Sequence, residues 1–122
     1  MELVCHSHDI PKPGDYFLCD TLAQPLIIVR GEDDRIRAFH NICRHREARL
    51  LFDEYGNGKG HCTNKLMRCS FHAWAYDLQG QLQQVPYGRD FPDFDKSVWS
   101  LREVAVAINQ GCVYVQLGNE SF

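Results

Sequence analysis

Pro25-Leu26-Ile27-Ile28-Val29-Arg30-Gly31-Glu32-Asp33-Asp34-Arg35-Ile36-Arg37-Ala38-Phe39 is the stretch that decides the fold. Leu26 to Val29 is a strand-length run rich in β-branched residues, and Gly31 to Asp34 are turn formers. Arg35 to Phe39 alternates polar and apolar with period two, so the whole stretch predicts a β-hairpin with one dry face. On its N-terminal side, Pro11-Lys12-Pro13-Gly14 is a rigid turn that excludes helix, and Asp15 to Cys19 is another strand-length run. On its C-terminal side, Trp74 to Leu78 and Gln81 to Gln84 flank Gln79-Gly80 as a second hairpin. Leu101 to Ile108 and Cys112 to Leu117 form a third about Asn109-Gln110-Gly111. Between the first two hairpins, at about residues 40 to 75, the alternation is lost, and Gly56 to Gly60 reads as a flexible loop. Arg46 to Glu54 and Asp93 to Val98 could each hold one or two helical turns. The expectation is one small all-β domain over residues 1–122, with a strand-poor insertion in its middle.

Composition agrees. A chain of 122 residues is one domain's worth, and at this length roughly two-thirds of the unfolded surface can be buried without disulfides. Hydrophobic residues at 44% and charged residues at 24% are the ordinary balance of a globular protein. A formal net charge of -3 offers no electrostatic basis for nucleic-acid or anionic-membrane binding. No apolar run approaches the ~20 residues that span a bilayer. Met1 to His6 lacks the basic start and apolar stretch of a signal peptide, so a cytoplasmic protein with no membrane partner is expected.

The unusual feature is six cysteines and six histidines. In a reducing compartment cysteine is more often a ligand, a nucleophile or a small buried hydrophobe than half of a disulfide. Within the insertion stand Cys43-Arg44-His45 and Cys69-Ser70-Phe71-His72, a Cys-x-His and a Cys-x-x-His separated by residues 46–68. Two thiolates and two imidazoles from two segments suit either a zinc ion or a Rieske 2Fe-2S cluster, which takes two cysteines on one iron and two histidines on the other. Zinc modules usually pair like with like. Here each segment offers one cysteine and one histidine, the arrangement a two-iron cluster needs, because each segment must then reach both irons.

Cys43-Arg44-His45-Arg46 and Cys69-Ser70-Phe71-His72-Ala73-Trp74 resemble the Rieske motifs of aromatic-ring-hydroxylating oxygenase large subunits. Pro11 to Tyr16, Pro25 to Arg30, Ile36 to Asn41, and Phe94 to Ser97 with Leu101 extend the likeness over nearly the whole chain. The resemblance implies a Rieske-type fold of stacked antiparallel sheets with an inserted cluster-binding subdomain. It implies a 2Fe-2S cofactor held by Cys43, His45, Cys69 and His72, with Trp74 packed beside the centre and Arg46 next to the first pair. Tyr76 either donates to a ligand sulfur, as in high-potential Rieske proteins, or is simply core. Glu47, Ser70, Ala73 and a long spacer through Gly60 to Lys65 depart from the family pattern. High-potential relatives also carry a disulfide cysteine and a serine where this chain has Phe71 and Trp74.

The implied function is one-electron transfer, as the electron-transfer domain or component of a ring-hydroxylating-oxygenase-like system. A reductase or ferredoxin would be the donor and an oxygenase iron site the acceptor. A free-standing Rieske ferredoxin, or a non-redox zinc-binding or assembly module, are the alternatives. His6, His8, His40 and His61 offer no spaced pair with a carboxylate for a mononuclear iron, so no oxygenation site is expected. Cys5-His6-Ser7-His8 imitates a ligand motif but has no partner pair. Cys19 and Cys112 read as core, His40 as a polar strand end, His61 and Cys62 as an ordinary loop, and Glu32 to Arg35 as a solvated turn.

Overall fold

The computed structural model describes residues 2–19, 25–42, 50–51, 58–62, 66–68, 75–84 and 100–116. In chain order the strands are β1 (Glu2–His6), β2 (Asp15–Cys19), β3 (Leu26–Arg30), β4 (Ile36–His40), β5 (Lys59–His61), β6 (Leu66–Arg68), β7 (Ala75–Asp77), β8 (Leu82–Gln84), β9 (Glu103–Asn109) and β10 (Cys112–Gln116). A single 3₁₀ turn, Ser7–Asp9, is the helical element among the described residues. The two possible helical segments fall largely or wholly outside them. All pairings are antiparallel, in a seven-stranded sheet of order β1-β10-β9-β4-β3-β2-β5 and a three-stranded sheet β6-β7-β8. Only Ala38↔Val104 and Phe39↔Glu103 join β4 to β9, so the large sheet is two smaller ones sharing a short seam. The all-β, antiparallel expectation holds, and the three hairpins form where the sequence places them.

The β3–β4 hairpin departs from the expectation of one dry face. Leu26, Ile27, Ile28 and Val29 are all fully buried. Side chains alternate faces along a strand, and here both faces are covered. Ile27 and Val29 join a cluster with Phe39, Leu50, Cys62, Met67, Tyr76, Leu78, Leu82 and Leu101. Leu26 and Ile28 join Ile10, Ile36, Ala38, Val104, Val113 and Val115. The second cluster holds residues of β10, two strands removed from β4, so the sheet curls over on itself. The curl brings the ends of the strand order together: Lys59 on β5 lies 3.2 Å from the Asp9 carboxylate just after β1.

Three strands are not foreseen from the sequence. β1 forms only by pairing with β10, with an irregularity between Leu3 and Cys5. β5 falls in the glycine-rich stretch expected to be a loop. Its Gly60 pairs with Tyr16 of β2, whose ring occupies the space where a Cβ would lie, with Cε1 only 2.8 Å from that point. Glycine there lets an aromatic ring cover the strand. β6 pairs with β7. The acidic turn is exposed as expected but also paired. Asp33 bridges Arg37 through two contacts of 3.1 and 2.8 Å, and Asp34 accepts from Arg30 at 3.1 Å. Arg30 further donates to the Ile10 and Ser7 carbonyls at 2.6 and 3.1 Å, fixing the 3₁₀ turn against the hairpin.

Candidate metal centre

Cys43, His45, Cys69 and His72, with Arg46 and Trp74, lie outside the described residues. The structure instead describes what flanks them. The second segment, residues 69–74, runs from the end of β6 to the start of β7, and Arg68 and Ala75 face each other as the last pair of that ladder. The two residues that flank segment 69–74 are therefore held together by backbone pairing.

The first segment is closed differently. Asn41 directly follows β4 and is completely buried. Its Oδ1 accepts from the backbone N–H groups of Leu50 at 3.1 Å and Leu51 at 2.8 Å, and its Nδ2 donates to the Leu51 carbonyl at 2.8 Å. Its own N–H donates to the Pro25 carbonyl at 2.9 Å. A buried amide must be paired in this way. Leu50 then belongs to the cluster that contains Met67 of β6 and Tyr76 of β7, so both flanks rest on one core. The role of Asn41 is not foreseen from the sequence. The available signal was an asparagine ending a buried strand, a residue type that readily bonds to nearby backbone.

The fold places the other described candidate residues as follows. Tyr76 is fully buried in that same cluster. Cys62 is buried there too, and burial, with Asp15 adding repulsion, pushes its thiol up to about 12. His61, exposed on β5, pairs across to β2 through Nδ1 to Asp15 Oδ1 at 2.7 Å. His61 thus ends a strand in place of the expected ordinary loop, and Cys62 follows it into the core. His6 caps the 3₁₀ turn: its Nδ1 accepts from the His8 N–H at 3.1 Å, while Asp9 Oδ2 accepts from the His6 N–H at 2.9 Å. That reciprocal arrangement is a capping box, which gives the His6 ring and the Asp9 carboxylate a structural role. Cys5 and Cys19 pack against the second core cluster, and burial pushes the Cys5 thiol up to about 12. Cys112 is half-buried at the start of β10. His40 ends β4, buried, with its N–H donating to the Arg102 carbonyl at 2.9 Å.

The donor set and its flanks fit a two-iron cluster: two thiols and two imidazoles, one of each per segment, with both segments springing from one buried cluster. A cluster-binding β-domain is the class this defines. The family model for the Rieske [2Fe-2S] domain matches residues 1–95, and the chain belongs to that family. Its cofactor is a Rieske-type 2Fe-2S cluster, and the chemistry of the family is electron transfer.

The chain is 36% identical over 120 residues to the chlorobenzene dioxygenase alpha subunit of Cupriavidus sp. (strain PS12), covering 98% of this chain and 25% of that protein. It is 38% identical over 113 residues to the benzene 1,2-dioxygenase alpha subunit of Pseudomonas putida, covering 92% of this chain and 24% of that one. The crystal structure of naphthalene 1,2-dioxygenase with indole bound superposes with a TM-score of 0.85 at 32% identity, covering 98% of this chain and 26% of that chain. The chain therefore spans about a quarter of the length of the curated relatives it matches. Among the described residues no helix is long and apolar enough to cross a membrane.

Proposed function

We propose that residues 1–122 are a single Rieske domain, with its cluster-binding insertion at about 40–75, that passes single electrons within a ring-hydroxylating-oxygenase-like system. Cys43 and Cys69 would hold one iron and His45 and His72 the other. A reductase or ferredoxin supplies the electron, and an oxygenase iron site accepts it. The observation that carries this reading is the pairing of a mixed Cys/His donor set with two flanks seated on one core. When bound, the group would supply one-electron transfer there. The chain's own residues orient the donors: Asn41 closes the first segment, and the Arg68–Ala75 pair closes the second. Leu50, Met67 and Tyr76 keep the underlying core dry. As the family resemblance implies, Trp74 would pack beside the centre, and Arg46, with Arg44, would offer positive charge to steer an acidic partner.

His6 and His8, at the end of β1 and in the 3₁₀ turn, have ring centroids 4.6 Å apart, while His40 and His61 lie on β4 and β5. This reading gives them no oxygenating iron, and it places the protein in the cytoplasm.

Purified protein made under iron-replete conditions should contain two irons and two acid-labile sulfides per chain, with an absorption that bleaches on reduction. His45→Ala or Cys69→Ala should abolish both, since metal binding and local order are coupled. One zinc and no labile sulfide would overturn the reading. So would hydroxylated product from an aromatic substrate given only this protein, dithionite, oxygen and ferrous iron.

A further inference from the structure

We propose that Asn41 is the positioning residue of the cluster site, a side-chain clamp that sets where the segment carrying Cys43 and His45 stands relative to the one carrying Cys69 and His72. The inference rests on reading those four residues as the ligands. The two segments are held by different means. The second is closed by main-chain pairing of Arg68 with Ala75, which tolerates many side chains. The first is closed at Leu50 and Leu51 by the three bonds of one buried amide, supported by a long 3.4 Å contact from the Leu50 N–H to the Asn41 carbonyl.

The chemistry of that joint selects asparagine. One planar group must accept twice and donate once without carrying charge into a fully buried place. Aspartate keeps both acceptors but sets an oxygen against the Leu51 carbonyl. Alanine leaves two N–H groups and a carbonyl without this partner. Glutamine is one methylene too long for a joint whose bonds run from 2.8 to 3.1 Å. The clamp also transmits position. Asn41 is tied back to Pro25, while Leu50 is locked into the cluster shared with Met67 and Tyr76, the strands that bracket the second segment. A shift at the joint therefore moves a flank of the first segment relative to the flanks of the second.

The test uses the full chain carrying its cluster, with Asn41→Ala, Asn41→Asp and, as a control, Val115→Ala, which weakens the core on the opposite face of β3. Amide exchange at Leu50 and Leu51 is expected to rise at least tenfold in Asn41→Ala, with Ile27, Ile28 and Phe39 unchanged. At equal folded fraction, iron release to a chelator should also rise at least tenfold, and the electron paramagnetic resonance of the reduced cluster should shift. Val115→Ala should leave the resonance and the release rate alone. Asn41→Asp, which keeps both acceptors but sets a charged oxygen against the Leu51 carbonyl, should show the same changes, and it decides the matter should Asn41→Ala fail to fold. Unchanged exchange at Leu50 and Leu51, or an unchanged resonance and release rate, would overturn the clamp. A wild-type protein with no two-iron cluster would instead overturn the functional reading, while amide exchange would still report on the clamp.

Discussion

Gly80 offers the sharpest test of how the three-stranded sheet is seated on the large one. It closes the β7–β8 hairpin at φ +83°, donates its N–H to the Asp77 carbonyl at 3.0 Å and accepts from the Leu101 N–H at 2.8 Å. A Cβ placed on it would meet the ring of Phe39 on β4, with Cζ at 2.8 Å, Cδ1 at 2.9 Å and Cε1 closer still. Gly80→Ala therefore incurs two separable costs. Left-handed backbone on a residue with a Cβ costs about 1–2 kcal/mol, and forcing a methyl into a packed core costs about 1–3 kcal/mol. The expected loss of about 2–5 kcal/mol is a large share of the roughly 5–15 kcal/mol that stabilises a domain. With a urea slope of about 2 kcal/mol/M, the unfolding midpoint should fall by about 1–2.5 M, read by far-ultraviolet circular dichroism on anaerobic protein. Phe39→Leu removes the two closest atoms, Cε1 and Cζ, and keeps Cδ1, so it relieves most of the clash and the double variant should recover about 1–2 kcal/mol relative to the sum of the single losses. The backbone cost should persist. A Gly80→Ala midpoint within about 0.5 M of wild type, or single losses that simply add, would refute the close approach of this hairpin to β4.

Cys62, buried with its thiol pushed up to about 12, should react with iodoacetamide at pH 8 at least about a hundredfold more slowly than an exposed thiol. Labelling at the exposed rate, measured by mass spectrometry, would contradict its place in the core. The Asp33 carboxyl is held down to about 2, from an ordinary 3.8, by the Arg37 guanidinium and then by the Arg35 N–H. Because the folded value is the lower one, this pair supports the fold above about 4 and loses that support as pH falls from about 4 to about 2. The small gap in thermal midpoint between wild type and Asp33→Asn should therefore narrow from pH 6 toward pH 3, and a gap that widens would reverse the assignment. With Phe71 and Trp74 in place of the disulfide cysteine and serine of high-potential relatives, the cluster should titrate in the lower half of the Rieske span of about −150 to +300 mV. Voltammetry giving a value near the top would show sulfur hydrogen bonds that these residues do not explain.

The order of the hairpins was legible in the chain because strand pairing between neighbours is local. Leu26 to Val29, the turn at Gly31 to Asp34 and the alternation after it need only each other. A candidate donor set could be proposed from the chain for a related reason: cysteine and histidine carry their ligand chemistry as residue types, and two short motifs with mixed donors leave few centres to choose from. What the sequence could not decide was anything settled by distant contact. β1 is a strand because β10 lies beside it, and β5 is one because Tyr16 covers Gly60. Leu26 to Val29 is dry on both faces because the sheet curls back over one of them. His6 looks like half a metal site until its nitrogen is seen accepting from the His8 backbone. Asn41 is one polar residue among many until Leu50 and Leu51 return to it. Period and residue type are written along the chain. The partner of a buried amide is not, because a hydrogen bond spanning residues 41 to 51 exists only once both ends have been packed into the same core.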